Sequence, residues 1–202
     1  MKLFYSPGAC SLSPHIVLEE AGMTYEAVKT DLKTKQTVAG ADYKQTNPLG
    51  YVPALVLDDG TLLTEGPAIV QYIADKAPEK KLAPANGTME RYKLQSWLNF
   101  VSTEIHKGFS PLFNPAMPDE AKKLAKDRLA TRFEHLEKHF AGNDYLMGSS
   151  FSVVDAYLFT TLNWTKATGI DLSPYPKLQA FHARVAKRPA VQVAMKQEGL
   201  IK

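Results

Sequence analysis

Apolar positions in the first third of the chain switch between strand-like and helix-like spacing, whereas everything after about residue 88 keeps a helical period. Residues 2–6 (KLFYS) read as a short strand, 7–10 as a loop, and Leu12–Ala21 as a helix that tolerates Pro14 because it falls in the first turn. Gly22 ends that helix, and residues 24–30 (TYEAVKT) alternate as a second strand, so the start of the chain predicts a right-handed β-α-β unit. Residues 54–57 and 61–63 flank Asp58-Asp59-Gly60, a hairpin signal, and 67–77 follow as a helix opened by Thr64-Glu65-Gly66-Pro67. The predicted order is β-α-β-(α)-β-β-α.

Residues 78–88 (PEKKLAPANGT) lack apolar periodicity and hold two prolines and a glycine, which marks a linker. Beyond it, helices are predicted at 89–113, 119–141, 153–168, 175–187 and 190–197, a helical bundle. Ser152-Val-Val-Asp155 is a capping-box pattern before an apolar run. The expected organisation is therefore an α/β domain over 1–77, a linker over 78–88 and an all-α domain over 89–202.

Composition narrows the function classes. The chain has 202 residues, 45% of them hydrophobic and 22% charged, with no apolar run long enough to span a bilayer, so a membrane protein is not expected. Its start, MKLFYSPGACS, has no apolar core of a secretion signal, and one cysteine allows no internal disulfide; a cytoplasmic protein is expected. The formal charge of +3 is spread along the chain and gives no basic stripe for nucleic acid.

Three places carry candidate chemistry. Cys10 follows a strand and precedes a helix, where unpaired N–H groups and the positive end of the dipole favour a thiolate. Glu65-Gly66 at a second helix start sets a carboxylate acceptor beside a free backbone N–H donor. On the helix from residue 89, Leu94, Leu98, Val101, Ile105, Phe109 and Leu112 share an apolar face, with Asn99, Thr103, His106 and Ser110 opposite. His135 and His139 stand four apart but lack a third ligand, so no metal site is expected; His15 reads as a packed helix residue.

These residues sit in segments that resemble the bacterial, cysteine-containing beta class of glutathione transferases, which includes biphenyl-pathway enzymes. The resemblance runs through KLFYSPGACSLSPHIVLEEAG, NPLGYVPAL, LLTEGPAIVQYIAD, WLNFVSTEIHKGFSPLF, FSVVDAYLF and the terminal EGLIK, and so covers both domains. It implies a thioredoxin-like N-terminal domain, a helical C-terminal domain, a homodimer and one site per subunit for the co-substrate glutathione. By resemblance, Cys10 lies against the glutathione sulfur and can form a mixed disulfide with it, and Ser11 is a neighbouring hydroxyl donor. Which sulfur carries the charge stays open. Val52, before a cis Pro53, pairs its backbone with the cysteinyl part of the tripeptide. Glu65 and Gly66 take the γ-glutamyl amine and carboxylate; Gly66 stands where the wider superfamily commonly has Ser, which leaves the backbone donor alone. Lys35, or its neighbour Lys33, pairs with the glycyl carboxylate. Asn99, Thr103, Glu104 and His106 fall at the glutathione site or the dimer boundary, with His106 near the sulfur. The implied activity is attack of the glutathione thiolate on a small hydrophobic electrophile, by conjugation, dehalogenation or peroxide reduction. Pocket walls are expected from the loop at residues 7–9, from 109–113, and from Tyr51 or Trp164. The alternatives are a glutathione-dependent thiol-disulfide oxidoreductase and a non-catalytic binding protein on the same fold.

Overall fold

Strand β1 (Lys2–Tyr5) buries three successive residues, Leu3, Phe4 and Tyr5, because both of its edges and both of its faces are covered. In the computed structural model, which describes Met1–Lys202, β1 pairs parallel with β2 (Glu26–Asp31) and antiparallel with β4 (Ala54–Val56). Strand β3 (Gln36–Thr37) adds to β2 and β5 (Leu62–Thr64) to β4, giving the order β3-β2-β1-β4-β5. Helix α1 (Leu12–Ala21) connects β1 to β2 and ends in the left-handed Gly22, at φ 66°, which donates back into the last turn. Helix α2 (Gly66–Lys76) follows the β4–β5 hairpin and buries Ile69, Val70 and Ile73. This is the thioredoxin-like arrangement that the resemblance implies.

The bracketed helix between β2 and β4 does not form. Residues 32–53 instead hold β3 and a 3-10 turn at Tyr43–Gln45, whose Asp42 cap accepts from the Lys44 N–H at 2.9 Å. This stretch is polar and punctuated by glycines at positive φ, and the fully buried Tyr43 anchors it.

The contacts divide the chain into Met1–Ala83 with Arg188–Lys202, and Pro84–Lys187. The last helix, α9 (Pro189–Gln197), therefore belongs to the first unit, which corrects the expected 89–202 domain. Its Val191 and Ala194 are buried, it packs on α1, and beside it the Arg188 guanidinium reaches Glu20 of α1, with Nη2 at 2.9 Å from Oε2. Helical spacing alone could not show which partner would cover that face. The boundary at 83/84 falls inside the expected linker, where Leu82 is buried.

The second unit is all helix. Met89–Phe100 forms α3, Val101–His106 a π-helical segment, and Lys107–Phe113 α4, so the single helix expected over 89–113 carries a wide turn in its middle. Then come α5 (Asp119–Phe140), α6 (Val153–Leu162), α7 (Trp164–Thr168) and α8 (Pro176–Ala186), with the expected 153–168 helix broken at Asn163. Leu94, Leu98, Val101, Ile105 and Phe109 are buried, as their shared face predicts, whereas Leu112, the sixth of that face, is only half-buried. Helices α4 and α5 approach so closely at Gly108 that a Cβ there would meet Leu129 Cδ2 at 2.8 Å. The Ser152/Asp155 capping box forms, and Asp155 also accepts from the Leu146 N–H at 2.8 Å, tying the preceding loop to α6.

Candidate functional site

In the first unit, β1 delivers the chain to a tight loop that α1 closes. The Ala9 N–H donates to Ser6 O and the Leu12 N–H to Ala9 O, each at 3.0 Å. Cys10 is partly exposed at this turn, and its thiol donates to Val52 O at 3.1 Å. The Val52–Pro53 peptide is cis and leads directly into β4. Pro53 in turn touches the start of α2, since a Cβ on Gly66 would lie 3.9 Å from Pro53 Cγ. Cys10, Val52, Pro53 and Gly66 are thereby one neighbourhood, although they lie 56 positions apart at the extremes (66 − 10).

Glu65 borders that neighbourhood in a conformation unusual for a side-chain-bearing residue, φ 66° and ψ 114°. Its carbonyl accepts the Ala68 and Ile69 N–H groups at 3.0 Å, so the backbone caps α2 while the carboxylate stays exposed. Gly66 is the first residue of α2, where an N–H has no acceptor within the helix. An exposed acidic residue thus directly precedes an N–H without a helical acceptor.

Lys35 lies in the turn between β2 and β3. Its backbone is also at positive φ, 58°, and its ammonium donates to Gly50 O at 2.9 Å and lies 5.8 Å from the Tyr51 ring centre. The lysine stem runs across Gly50, where a Cβ would meet Lys35 Cδ at 3.0 Å, so the glycine makes room for it. Lys33 instead lines, with Ser6, Pro7 and other residues of 29–38, a cleft of about 670 Å³ that neither Cys10 nor Glu65 borders.

Ser11, expected as a hydroxyl donor to the sulfur, lies on the inner side of the loop that carries Cys10. It is fully buried, and its Oγ accepts from the Ser6 N–H at 3.1 Å and donates to Ser6 O at 3.3 Å, which closes the loop that carries Cys10. The hydroxyl is spent on the backbone it would otherwise leave unpaired.

Three residues that sequence reasoning missed hold these groups in place. The buried Tyr43 hydroxyl and the Asn47 amide both donate to Tyr51 O, at 2.6 and 2.8 Å, and so fix the approach to Val52. Burial pushes the Tyr43 phenol up to about 12, which keeps it a donor. Glu198, also buried, accepts from the Gly8 N–H at 2.8 Å with one carboxylate oxygen and meets His15 Nδ1 at 2.9 Å with the other. Asn before Pro was a visible turn signal for Asn47; nothing in the spacing pointed from position 198 to position 8.

In the second unit the polar strip separates. Asn99, Thr103 and Ser110 are exposed, and the Thr103 hydroxyl donates to Asn99 O at 2.9 Å. Glu104 pairs with the Arg132 guanidinium through its Oε2, at 2.9 Å to Nε and 2.6 Å to Nη2. His106, at the end of the π-helical segment, turns inward: Nδ1 lies 2.6 Å from the buried Tyr157 hydroxyl and the Trp164 ring packs edge-on at 4.8 Å. Burial first, and the Lys107 ammonium second, pull this imidazole down to about 4, so it is neutral at pH 7. Phe109 and Phe113 pack on Trp164, each at 5.6 Å. His135 and His139 pack against Trp97, at 5.8 and 4.9 Å, which accounts for them as aromatic neighbours.

The chain matches two family models in succession, "Glutathione S-transferase, N-terminal domain" over residues 1–75 and "Glutathione S-transferase, C-terminal domain" over 100–189. It is 46% identical to glutathione S-transferase GstA of Escherichia coli O157:H7 over 99% of this chain and 100% of that protein. Among solved structures it is similar to a ternary complex of BphK, a bacterial glutathione S-transferase, with 58% identity, a TM-score of 0.97, and 98% and 100% of the two chains covered. A beta-class glutathione S-transferase from Sphingomonas chungbukensis is similar at 51% identity and a TM-score of 0.97, with both chains wholly covered.

Proposed function

This chain belongs to the glutathione S-transferase family, and we propose that it grips glutathione at the Cys10, Val52–Pro53 and Glu65–Gly66 neighbourhood and directs the tripeptide's thiolate at a small apolar electrophile. It is a transferase of the bacterial beta class, with glutathione as co-substrate. The observation that carries the reading is the convergence of Cys10 Sγ on Val52 O, 3.1 Å away, beside the bare N-terminus of α2.

Each part of the tripeptide finds a matching group. The Glu65 carboxylate accepts from the γ-glutamyl amine, and the Gly66 N–H, helped by the α2 dipole, donates to the γ-glutamyl carboxylate. The Val52 backbone pairs with the cysteinyl unit as an added strand would. The Lys35 ammonium, already parked at Gly50 O, serves the glycyl carboxylate. The start of α1 favours the anionic sulfur, and in the second unit the His106 imidazole is neutral at pH 7. Asn99, Thr103 and Glu104 support the contact between subunits. In conjugation the thiolate forms a C–S bond as the leaving group departs with the electron pair; with an organic peroxide it attacks one oxygen, the O–O bond breaks, the sulfur becomes a sulfenic acid and the alkoxide leaves and takes a proton from water, after which a second glutathione condenses with the sulfenic acid to give glutathione disulfide and water.

Cys10 is partly exposed, which favours a second activity at the same place. Its thiolate attacks one sulfur of glutathione disulfide, the protein–glutathione disulfide forms, and glutathione thiolate leaves. The working form is a homodimer in the cytoplasm. The exposed Leu49 and Tyr51, at 69% and 65%, support pairing.

Assays of glutathione with a haloaromatic, a chlorinated ring metabolite, an organic peroxide and a glutathionylated disulfide, on wild type and Cys10→Ala, test this. Conjugation retained and disulfide exchange lost in Cys10→Ala is the expected outcome. Retention of glutathione without turnover of any partner would overturn the catalytic reading in favour of a binding protein.

A further inference from the structure

A lysine ammonium rides on a flexible four-carbon stem, and it reads a fixed point cheaply only if something other than the ligand already holds it there. In the first unit two loops supply that hold for Lys35. Its backbone is pinned on both sides, the N–H donating to Asp31 O at 2.9 Å and the carbonyl accepting from the Tyr43 N–H at 2.8 Å. Its ammonium donates to Gly50 O at 2.9 Å, beside the Tyr51 ring. An ammonium has three N–H groups, so this bond leaves donors for an anion. Asp31, the carboxylate that senses this cation, accepts instead from the Lys33 and Thr34 N–H groups at 2.7 and 3.1 Å.

Gly50 is itself fixed. Its N–H donates to Asn47 O at 2.7 Å, its φ is 63°, and the carbonyl of the next residue is held by the Tyr43 and Asn47 side chains. A side chain here would lie in the path of the lysine, since a Cβ would stand 3.0, 3.3 and 3.5 Å from Lys35 Cδ, Cε and Nζ. Gly40 is also at positive φ, yet a Cβ there would meet nothing within 4 Å. Gly50 precedes Val52 in the chain, whereas Pro53, beside Gly66, follows it. A peptide paired on Val52 with its γ-glutamyl end at Gly66 therefore runs its other end toward Gly50.

We propose that Gly50 is a positioning residue whose bare Cα and carbonyl fix the Lys35 ammonium as a reader of a free terminal carboxylate, so that the site selects a peptide ending one residue after its cysteinyl unit over the corresponding ester. This rests on the assignment of Lys35 to the glycyl carboxylate made above. Gly50 need not touch the peptide to govern that choice.

Binding of glutathione and of its glycyl monoethyl ester, measured by calorimetric titration of the full chain, tests this. Wild type should hold the ester at least about tenfold more weakly, as loss of a charged hydrogen-bond partner dictates. In Gly50→Ala the affinity for glutathione should fall about fivefold and that for the ester less than about twofold, so the discrimination shrinks. Gly40→Ala, which strains the backbone in open space, should leave the discrimination intact. Equal weakening of the two ligands in Gly50→Ala, or full discrimination retained there while Lys35→Met loses it, overturns the role of Gly50. No discrimination in wild type, or discrimination unchanged in Lys35→Met, instead overturns the assignment of Lys35 to the glycyl carboxylate. Should Gly50→Ala fail to fold, the wild-type Lys35 ammonium resonance decides, assigned in 15N-lysine protein by its loss in Lys35→Met. Its solvent exchange is expected to be slowed by the bond to Gly50 O, and exchange as fast as that of the exposed lysines overturns the proposal.

Discussion

Around Cys10 the fold gathers main-chain groups, Val52 O and the first N–H of α2, beside the exposed Glu65. Around His106 the reverse holds, for a single imidazole is enclosed by Tyr157 and Trp164 and its chemistry is set by burial. The first arrangement depends on backbone course, which side-chain changes at Val52 need not disturb. The second depends on packed side chains, where each one sets the state of the next. The first unit is thus a site built by fold geometry, the second a site built by environment.

The largest expected effect attacks what keeps the second arrangement rigid. Asp155→Ala removes the acceptor for the buried Ser152 and Leu146 N–H groups, both at 2.8 Å, and should lower stability by about 2–4 kcal/mol, read as a shift in the urea midpoint. A loss below about 1 kcal/mol would mean that α6 does not rely on its cap.

Within the first unit, side-chain and backbone recognition can be separated directly. Glu65→Ala removes a charged acceptor and should raise KM for glutathione by about 10- to 100-fold. Val52→Ala keeps the carbonyl and the N–H and should change KM less than about threefold, because only apolar contact is lost. Equal effects of the two substitutions would erase the distinction between the units.

The burial of His106 also predicts a slope of stability with pH. Its ordinary value is 6.5 and its folded value is pulled down to about 4, so between these the unfolded chain takes up a proton that the folded chain refuses. Stability is therefore full above pH 6.5 and falls as the pH drops toward 4, by up to about 1.4 kcal/mol per unit of that separation. His182, lowered by burial as well, adds in the same direction. Midpoints measured at pH 7.5 and 5.0 should differ more for wild type than for His106→Asn; equal differences would contradict an enclosed imidazole.

Much of this was legible in the sequence where one physical cause acts locally. The strands and helices of the first unit follow from apolar period and from Gly22 and the Asp58-Asp59-Gly60 turn, and the buried face of the long helix from its spacing. The resemblance named Cys10, Val52–Pro53, Glu65, Gly66 and Lys35, and the fold brings Cys10, Val52–Pro53 and Gly66 together. What stayed hidden involves partners far apart in sequence. Ser11 turns back onto Ser6 because a buried loop must satisfy its own backbone, and α9 joins the first unit because α1 needs a cover. The π-helical turn that swings His106 inward was hidden by the assumption of a constant period, and Tyr157 was read only as part of an apolar run.

Calorimetric titration of the protein with glutathione, set beside cysteinylglycine, which lacks the γ-glutamyl group, tests the central claim most directly. The account predicts one glutathione bound per chain and binding of the truncated peptide weakened at least about tenfold, since it makes no contact with Glu65 and Gly66. No heat with glutathione, or equal affinity for the two peptides, would contradict it.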